Sequence, residues 1–408
     1  MASVIASKTA EQSFSPRVHT FEAGAALAAG MGIGRFVYTP ILPLMHQQAG
    51  LSDSLGATLA TANYIGYLLG ALVGIFVPTV VRSTVALRSS LLVLVATLAL
   101  MPLTHDGTVW LVLRLVAGLT SALIFMIAVS SLHAHLTTPA AHLSGWAFGG
   151  VGAGIALSGV LVLVLRSIGN WQSAWWGAAA VTLICTVVAW PLLPEPTPSK
   201  AASKASVSGR PRTHPWFTAA LISYTLEGIG YIIAGTFLVA AIDQSAGGWI
   251  GSSAWIVVGL AALPSSAAWA WLCLRWARPN LLLVALIIQA VGIALPALIG
   301  GVGPALVSAF LFGATFMGIA SMALGIGAHL QFPRAVALLT AGYSIGQILG
   351  PLVVAPVLHN GYHQALLIGA VVVVASALAA ATLRVRYPHH IGVTHENLIP
   401  PHTSEKFV

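Results

Sequence analysis

Long apolar runs alternate with short polar breaks from residue 20 to residue 384 of this chain. A bilayer core about 30 Å thick needs roughly 20 apolar residues per helix. Twelve runs reach that length, at approximately 20–46, 54–77, 86–104, 109–132, 143–165, 172–193, 215–242, 252–274, 280–300, 303–328, 335–358 and 363–384. Polar or small residues interrupt the seventh and eighth. Residues 1–18 are polar and hold no apolar core, so no cleavable signal peptide is expected. The pattern predicts an all-α polytopic membrane protein with twelve transmembrane helices in two six-helix bundles.

Composition closes off the soluble alternative. Of 408 residues, 58% are hydrophobic and only 6% are charged, against about 25% charged in soluble domains. The net charge of +8 does not point to nucleic acid, because the charges fall between apolar runs and form no basic face with interleaved aromatics. With both termini in the cytosol, Arg17, Arg82, Arg88, Lys200, Lys204, Arg210, Arg212, Arg275, Arg278, Arg334, Arg384 and Arg386 lie inside with Lys8 and Lys406, and Arg166 alone lies outside. Positive residues keep to the cytosolic side of membrane proteins, so this asymmetry fixes the orientation and supports the count of twelve.

Residues 194–214, PEPTPSKAASKASVSGRPRTH, read as a solvated cytosolic linker. The expected organisation is a cytosolic tail at 1–18, bundles at 19–193 and 215–386, and a second cytosolic tail at 387–408. The halves repeat. Gly32-Ile33-Gly34 recurs as Gly228-Ile229-Gly230, and Ala134-His135-Leu136 recurs as Ala328-His329-Leu330. The two offsets nearly agree, which indicates duplication. Small residues recur every four positions in the second helix (Gly66, Gly70, Gly74), the fifth (Gly150, Gly154, Ser158), the eighth (Ala262, Ser266, Ala270) and the eleventh (Gly342, Gly346, Gly350). Such faces allow close backbone approach in lipid, either as static packing or as the interface along which two halves rock.

The segments GMGIGRFVYTPILPLM at 30–45, ATANYIGYLLGALVG at 60–74, RLVAGLTSA at 114–122, FGGVGAGIALSG at 148–159 and GYSIGQILGP at 342–351 make the chain similar to the major facilitator superfamily, and within it to the YbfB/YjiJ-type transporters. The resemblance covers roughly residues 18–385. It implies a secondary transporter of a bacterial cytoplasmic membrane, working by alternating access, with the first, fourth, seventh and tenth helices around a central cavity. One departure is plain. The loop VPTVVRSTVALR keeps Arg82 and Arg88 but lacks the acid usual in that family's loop, so gating contacts through that acid do not carry over.

Three charges stand out within the spans: Arg35, Arg114 and Glu227. An arginine at mid-bilayer costs roughly 2.5–3.5 kcal/mol on insertion scales, so it persists where it faces a cavity or a partner. Arg35 reads as an anchor for an anionic substrate group, or as a structural ion-pair partner of Glu227. Arg114 reads as a substrate contact, a proton-relay member or a residue snorkelling to the outer interface. Glu227 reads as a proton-coupling acid, a fixed partner for Arg35 or a substrate contact. Aligning the repeats sets Tyr231 opposite Arg35, on one face with Glu227. Tyr38, Asn63 and Tyr67 are further candidate substrate contacts, with packing as the alternative. Pro40 and Pro43 should distort the outer half of the first helix and free backbone carbonyls.

Cys185 and Cys273 both fall in spans and suggest neither disulfide nor metal. No GxxxxGK[ST] loop or nucleophile–base constellation occurs, so no cofactor, metal or enzymatic activity is expected. The expected function is proton-coupled transport of a small anionic or zwitterionic metabolite by a monomer in the lipid bilayer. Proton-driven efflux of lipophilic or cationic compounds is the main alternative, and a transport-dead sensor or scaffold is a lesser one.

Overall fold

The computed structural model describes residues 15–136, 143–196, 214–246, 248–332, 335–385 and 387–388. Most of the expected linker and nearly all of both expected tails lie outside the described residues. Among those described, twelve helices are long and apolar enough to cross a membrane. They are α1 (Pro16–Ala49), α2 (Asp53–Phe76), α3 (Thr84–Leu100), α4 (Gly107–His135), α5 (Leu143–Ile168), α6 (Trp171–Ala189), α7 (His214–Ala246), α8 (Gly248–Leu272), α9 (Arg278–Leu298), α10 (Val302–His329), α11 (Ala335–Val354) and α12 (Tyr362–Thr382). All twelve predicted spans are present, including the interrupted seventh and eighth. The helices run alternately between a terminus face, where Pro16 and Thr382 lie, and an opposite loop face.

Short polar residues start several helices. Ser52, Ser83 and Asp106 accept backbone N–H bonds at the first turns of α2, α3 and α4. Asn170 and Ser173 form a reciprocal capping box on α6. Each such cap satisfies donors that a helix start would otherwise leave orphaned. Exposed Leu92, Ile184, Val371 and Leu378 give the helices an apolar exterior suited to lipid rather than water.

The two six-helix bundles meet where α2 packs on α11 and α5 packs on α8. The small-residue faces are distributed differently from expectation. Gly66 and Gly70 lie against the backbone of Leu115 and Leu119 on α4, within their own bundle. Gly346 and Gly350 lie against α7, again within one bundle. Gly150 and Gly154 receive α1. Among the described residues, glycine paves the contact across the bundles at the α5–α8 seam, where Gly149, Gly152 and Gly159 face Leu263, Gly259 and Ile256. The stripes of α2 and α11, and Gly150 and Gly154 of α5, serve packing inside a bundle instead.

Helix α1 is not regular. It is α-helical over Pro16–Leu27, widens to a π-helix over Ala28–Ile33, passes through a turn at 34–37 and resumes at Tyr38–Ala49. Pro40 has no N–H to give to Phe36, and the amide of Thr39 turns to Phe36 O at 3.2 Å instead of continuing the i−4 ladder to Arg35. The irregular stretch thus sits just ahead of the prolines, with Arg35 inside it. Gly32 lies where α1 meets α5, and a Cβ there would stand 2.6 Å from Gly154 Cα and Val151 O. Glu22, near the terminus face of α1, was not singled out from sequence and lies 3.9 Å from His19.

Candidate functional site

Arg35 is 2% exposed and lies between the bundles. Its guanidinium carbon stands 4.3 Å from the ring centre of Tyr67, 4.9 Å from that of Tyr64 and 5.4 Å from that of Phe36. Across the interface, Tyr231 and Tyr343 are its electrostatic neighbours. Its Nε and Nη2 are buried and have no hydrogen-bond partner. Cation–π contacts in a dry site contribute about 2 kcal/mol, which offsets part of the desolvation but leaves those two donors unmet.

Aromatic rings extend the site into the second bundle. Tyr231 stacks on Phe312, Phe316 and Tyr343 at 6.0, 5.8 and 5.6 Å between ring centres, with interplanar angles below 20°. Tyr343 stacks in turn on Tyr224 at 4.3 Å. Phe36 reaches from α1 to meet Phe316 and Trp255 edge-on.

Arg114 is equally buried, at 2% exposure. It donates from Nη1 to Gly34 O at 3.4 Å and from Nη2 to Arg35 O at 3.3 Å, the carbonyls at the interruption of α1. Its guanidinium also sits 4.9 Å from the Tyr38 ring centre. Gly118, one turn along α4, brings that helix against the backbone of Asn63 and Tyr67, and Asn63 Nδ2 donates to Arg114 O at 2.9 Å. Tyr38 in turn donates to Gly56 O at 2.9 Å. Arg114, Asn63 and Tyr38 form one bonded scaffold behind Arg35.

Four polar ties cross between the bundles on the loop-face side of Arg35. Thr39 Oγ1 donates to Gly235 O at 2.5 Å. Tyr64 Oη and Thr236 Oγ1 are 2.8 Å apart. Tyr362 donates to Asp53 at 2.7 Å and lies 2.9 Å from His46 Nε2. Arg166 grips Asp243, both of its terminal nitrogens lying 3.1 Å from Oδ2. The one cation expected outside is thereby neutralised in place.

The family described as "Uncharacterised MFS-type transporter YbfB" matches residues 27–381. The chain belongs to this family. No curated protein matches it. Among solved structures it is similar to the crystal structure of nucleoside transporter NupG (D323A mutant), with a TM-score of 0.63 at 15% identity, covering 91% of this chain and 100% of that one. At that identity the likeness shows the fold, which is that of major facilitator transporters. Fold and family together make the chain a multi-pass membrane protein of a transporter family.

Within this transporter the predicted residues divide into two groups. Arg35, Tyr67 and Tyr231 come together at the bundle interface. Tyr38, Asn63 and Arg114 are brought together too, each donating to backbone, while Asn63 Oδ1 and Arg114 Nε have no partner, and Arg114 points inward rather than snorkelling. Glu227 is 1% exposed with both carboxylate oxygens unpartnered. No ion pair joins it to Arg35 among the described residues. It interacts with Gln289 of α9 without closing a hydrogen bond, and its other electrostatic neighbours are Tyr224, Tyr231 and Tyr343. Tyr231 and Tyr343 are thus electrostatic neighbours of both the acid and the guanidinium.

Tyr64, Phe36, Tyr343, Phe316 and Gln289 belong to the site and were not singled out from sequence. Tyr64 lies three residues before Tyr67 and so shares its face. Gln289 is a lone amide in the apolar run LLLVALIIQAVGI, a signal of the same kind as Arg35 but uncharged.

Proposed function

We propose that this protein is a secondary transporter of a small organic solute bearing an anionic group, working by alternating access in a bacterial cytoplasmic membrane with both termini cytosolic. The observation that carries the reading is the unpartnered edge of the Arg35 guanidinium at the interface between the bundles. A buried, charged donor set costs several kcal/mol unless it is met, and a solute passing between the bundles meets it. The four ties on the loop face suit a state closed on that side, and breaking them would open it. Arg35 is the anchor, Tyr67 and Tyr231 line the path, and Tyr38, Asn63 and Arg114 hold α1 in place.

Glu227 is the proton carrier in this reading. A carboxyl without a cation beside it is more easily kept neutral when buried, and the tyrosine stack links it to the Arg35 side. The test is reconstitution. Glu227→Gln should retain solute exchange and lose proton-driven accumulation, and full uphill accumulation by that variant would remove the proton role. A thermal-shift screen against metabolites, repeated with Arg35→Ala, tests the anchor. Stabilising solutes that persist in Arg35→Ala would end that assignment.

A further inference from the structure

The geometry points to an aryl monocarboxylate as the solute: a flat aromatic ring bearing one carboxylate and no ammonium group. The inference rests on the transport reading above and deepens it. Four observations converge on this class.

The first is which atoms of Arg35 are unmet. Nε and Nη2 carry N–H bonds that run parallel along one side of the guanidinium. Their spacing matches the two oxygens of a carboxylate, which accepts both at once. The second is the number of forks. Arg114, the other deeply buried guanidinium among the described residues, gives its terminal nitrogens to Gly34 O and Arg35 O and keeps one unmet donor, Nε, against the pair on Arg35. The site therefore offers a single side-on fork, and a dicarboxylate or a phosphate dianion would leave its second anionic group without one.

The third is what a solute cation would meet. Glu227 is not ion-paired with Arg35 among the described residues, and Arg114 lies against the backbone of Arg35. An amino acid bound by its carboxylate would bring its ammonium up to two buried guanidiniums. The fourth is the wall. Tyr64 and Tyr67 belong to one bundle, while Tyr231, Phe312 and Phe316 form a near-parallel stack in the other. Phe36 meets Phe316 across the interface, and separation of the bundles there would leave a slot between these ring faces with an arginine fork at one end. A planar ring gains more from such faces than a puckered one of equal size.

The experiment uses the full chain in lipid nanodiscs, with radiolabelled benzoate as the probe and unlabelled compounds as competitors. Benzoate should bind saturably. Cyclohexanecarboxylate should compete several-fold more weakly, and benzamide, phenylalanine and terephthalate should fail to compete at concentrations where benzoate does. Arg35→Lys keeps the charge but loses the fork, and should weaken benzoate by about tenfold or more. Tyr67→Leu should erase the preference for benzoate over cyclohexanecarboxylate, a readout that a merely structural defect would not move. Absence of benzoate binding, or equal competition by phenylalanine or terephthalate, overturns the class. If a different solute is then exchanged in liposomes in an Arg35-dependent way, the transport reading survives alone. Benzoate binding with these preferences but without exchange supports the class and removes transport instead.

Discussion

Arg114 donates to the backbone carbonyl of Arg35 at 3.3 Å, so one buried arginine holds the main chain of the other. The carbonyl is available because Thr39 turns its amide to Phe36. A guanidinium on α4 thus replaces two helical bonds on α1 and sets the position from which the Arg35 side chain projects.

Arg114→Lys should therefore be costly although it conserves charge. A single ammonium cannot present a planar pair of donors to two carbonyls. Bonds from a charged donor contribute about 1.5–3 kcal/mol each, so losing one of the two should lower stability by about 2 kcal/mol. Tryptophan-fluorescence melts of the purified variant in detergent check this. An unchanged melting temperature would mean that α1 does not depend on this bridge.

Thr39→Val should loosen the loop face without harming the bundles. It removes one hydroxyl bond, worth about 1 kcal/mol, and so shifts the closed–open balance about fivefold toward opening. With Cys185 and Cys273 replaced by serine, a cysteine introduced at Ala240, beside the polar cluster of His46, Asp53 and Tyr362, should react faster with an impermeant maleimide in the Thr39→Val background.

Arg166 and Asp243 provide an electrostatic version of the same test. Arg166→Gln and Asp243→Asn should each speed labelling at position 240, and the double variant should add little to either. Coupling of about 0.5–3 kcal/mol is usual for residues in direct contact. Additive effects would show that the pair does not tie the bundles.

Asp106 gives a local pH dependence. The amides of Thr108 and Val109 donate to its carboxylate and hold its pKa below the ordinary aspartate value of 3.8. The folded pKa is depressed, so the cap is fully present above the unfolded value and fades as pH falls through the folded one. Hydrogen exchange at Thr108 and Val109 should accelerate, beyond its intrinsic pH dependence, as pH drops below about 4. In Asp106→Asn, whose amide oxygen can still cap, that extra acceleration should be absent.

The fold was legible because the bilayer imposes a single length on every span. The repeat was legible through Gly32-Ile33-Gly34 and its copy, and it placed Tyr231 against Arg35. What sequence did not reveal was which neighbour each helix face meets. Gly66, Gly70, Gly346 and Gly350 have the spacing of a close contact, but spacing does not say whether the contact is inside a bundle or between bundles. Arg114 and Arg35 are likewise the same residue type at similar burial, and only three-dimensional placement shows one with both terminal nitrogens on backbone carbonyls and the other with its Nε–Nη2 edge unmet. Glu227 shares a helical face with Tyr231 by count, yet its carboxylate interacts with α9.

The Thr39–Gly235 tie joins two positions 196 residues apart, the same interval that separates Arg35 from Tyr231 and the two Gly-Ile-Gly segments. Its acceptor is a main-chain oxygen, and a Cβ at Gly235 would find nothing nearer than 3.7 Å. Only one copy of the duplicated segment has to supply a hydroxyl, because the other contributes its peptide group whatever residue occupies the position. Replacing Gly235 by alanine therefore leaves the acceptor in place, whereas replacing Thr39 removes the donor, so the latch depends on the side chain of one copy and only on the peptide group of the other.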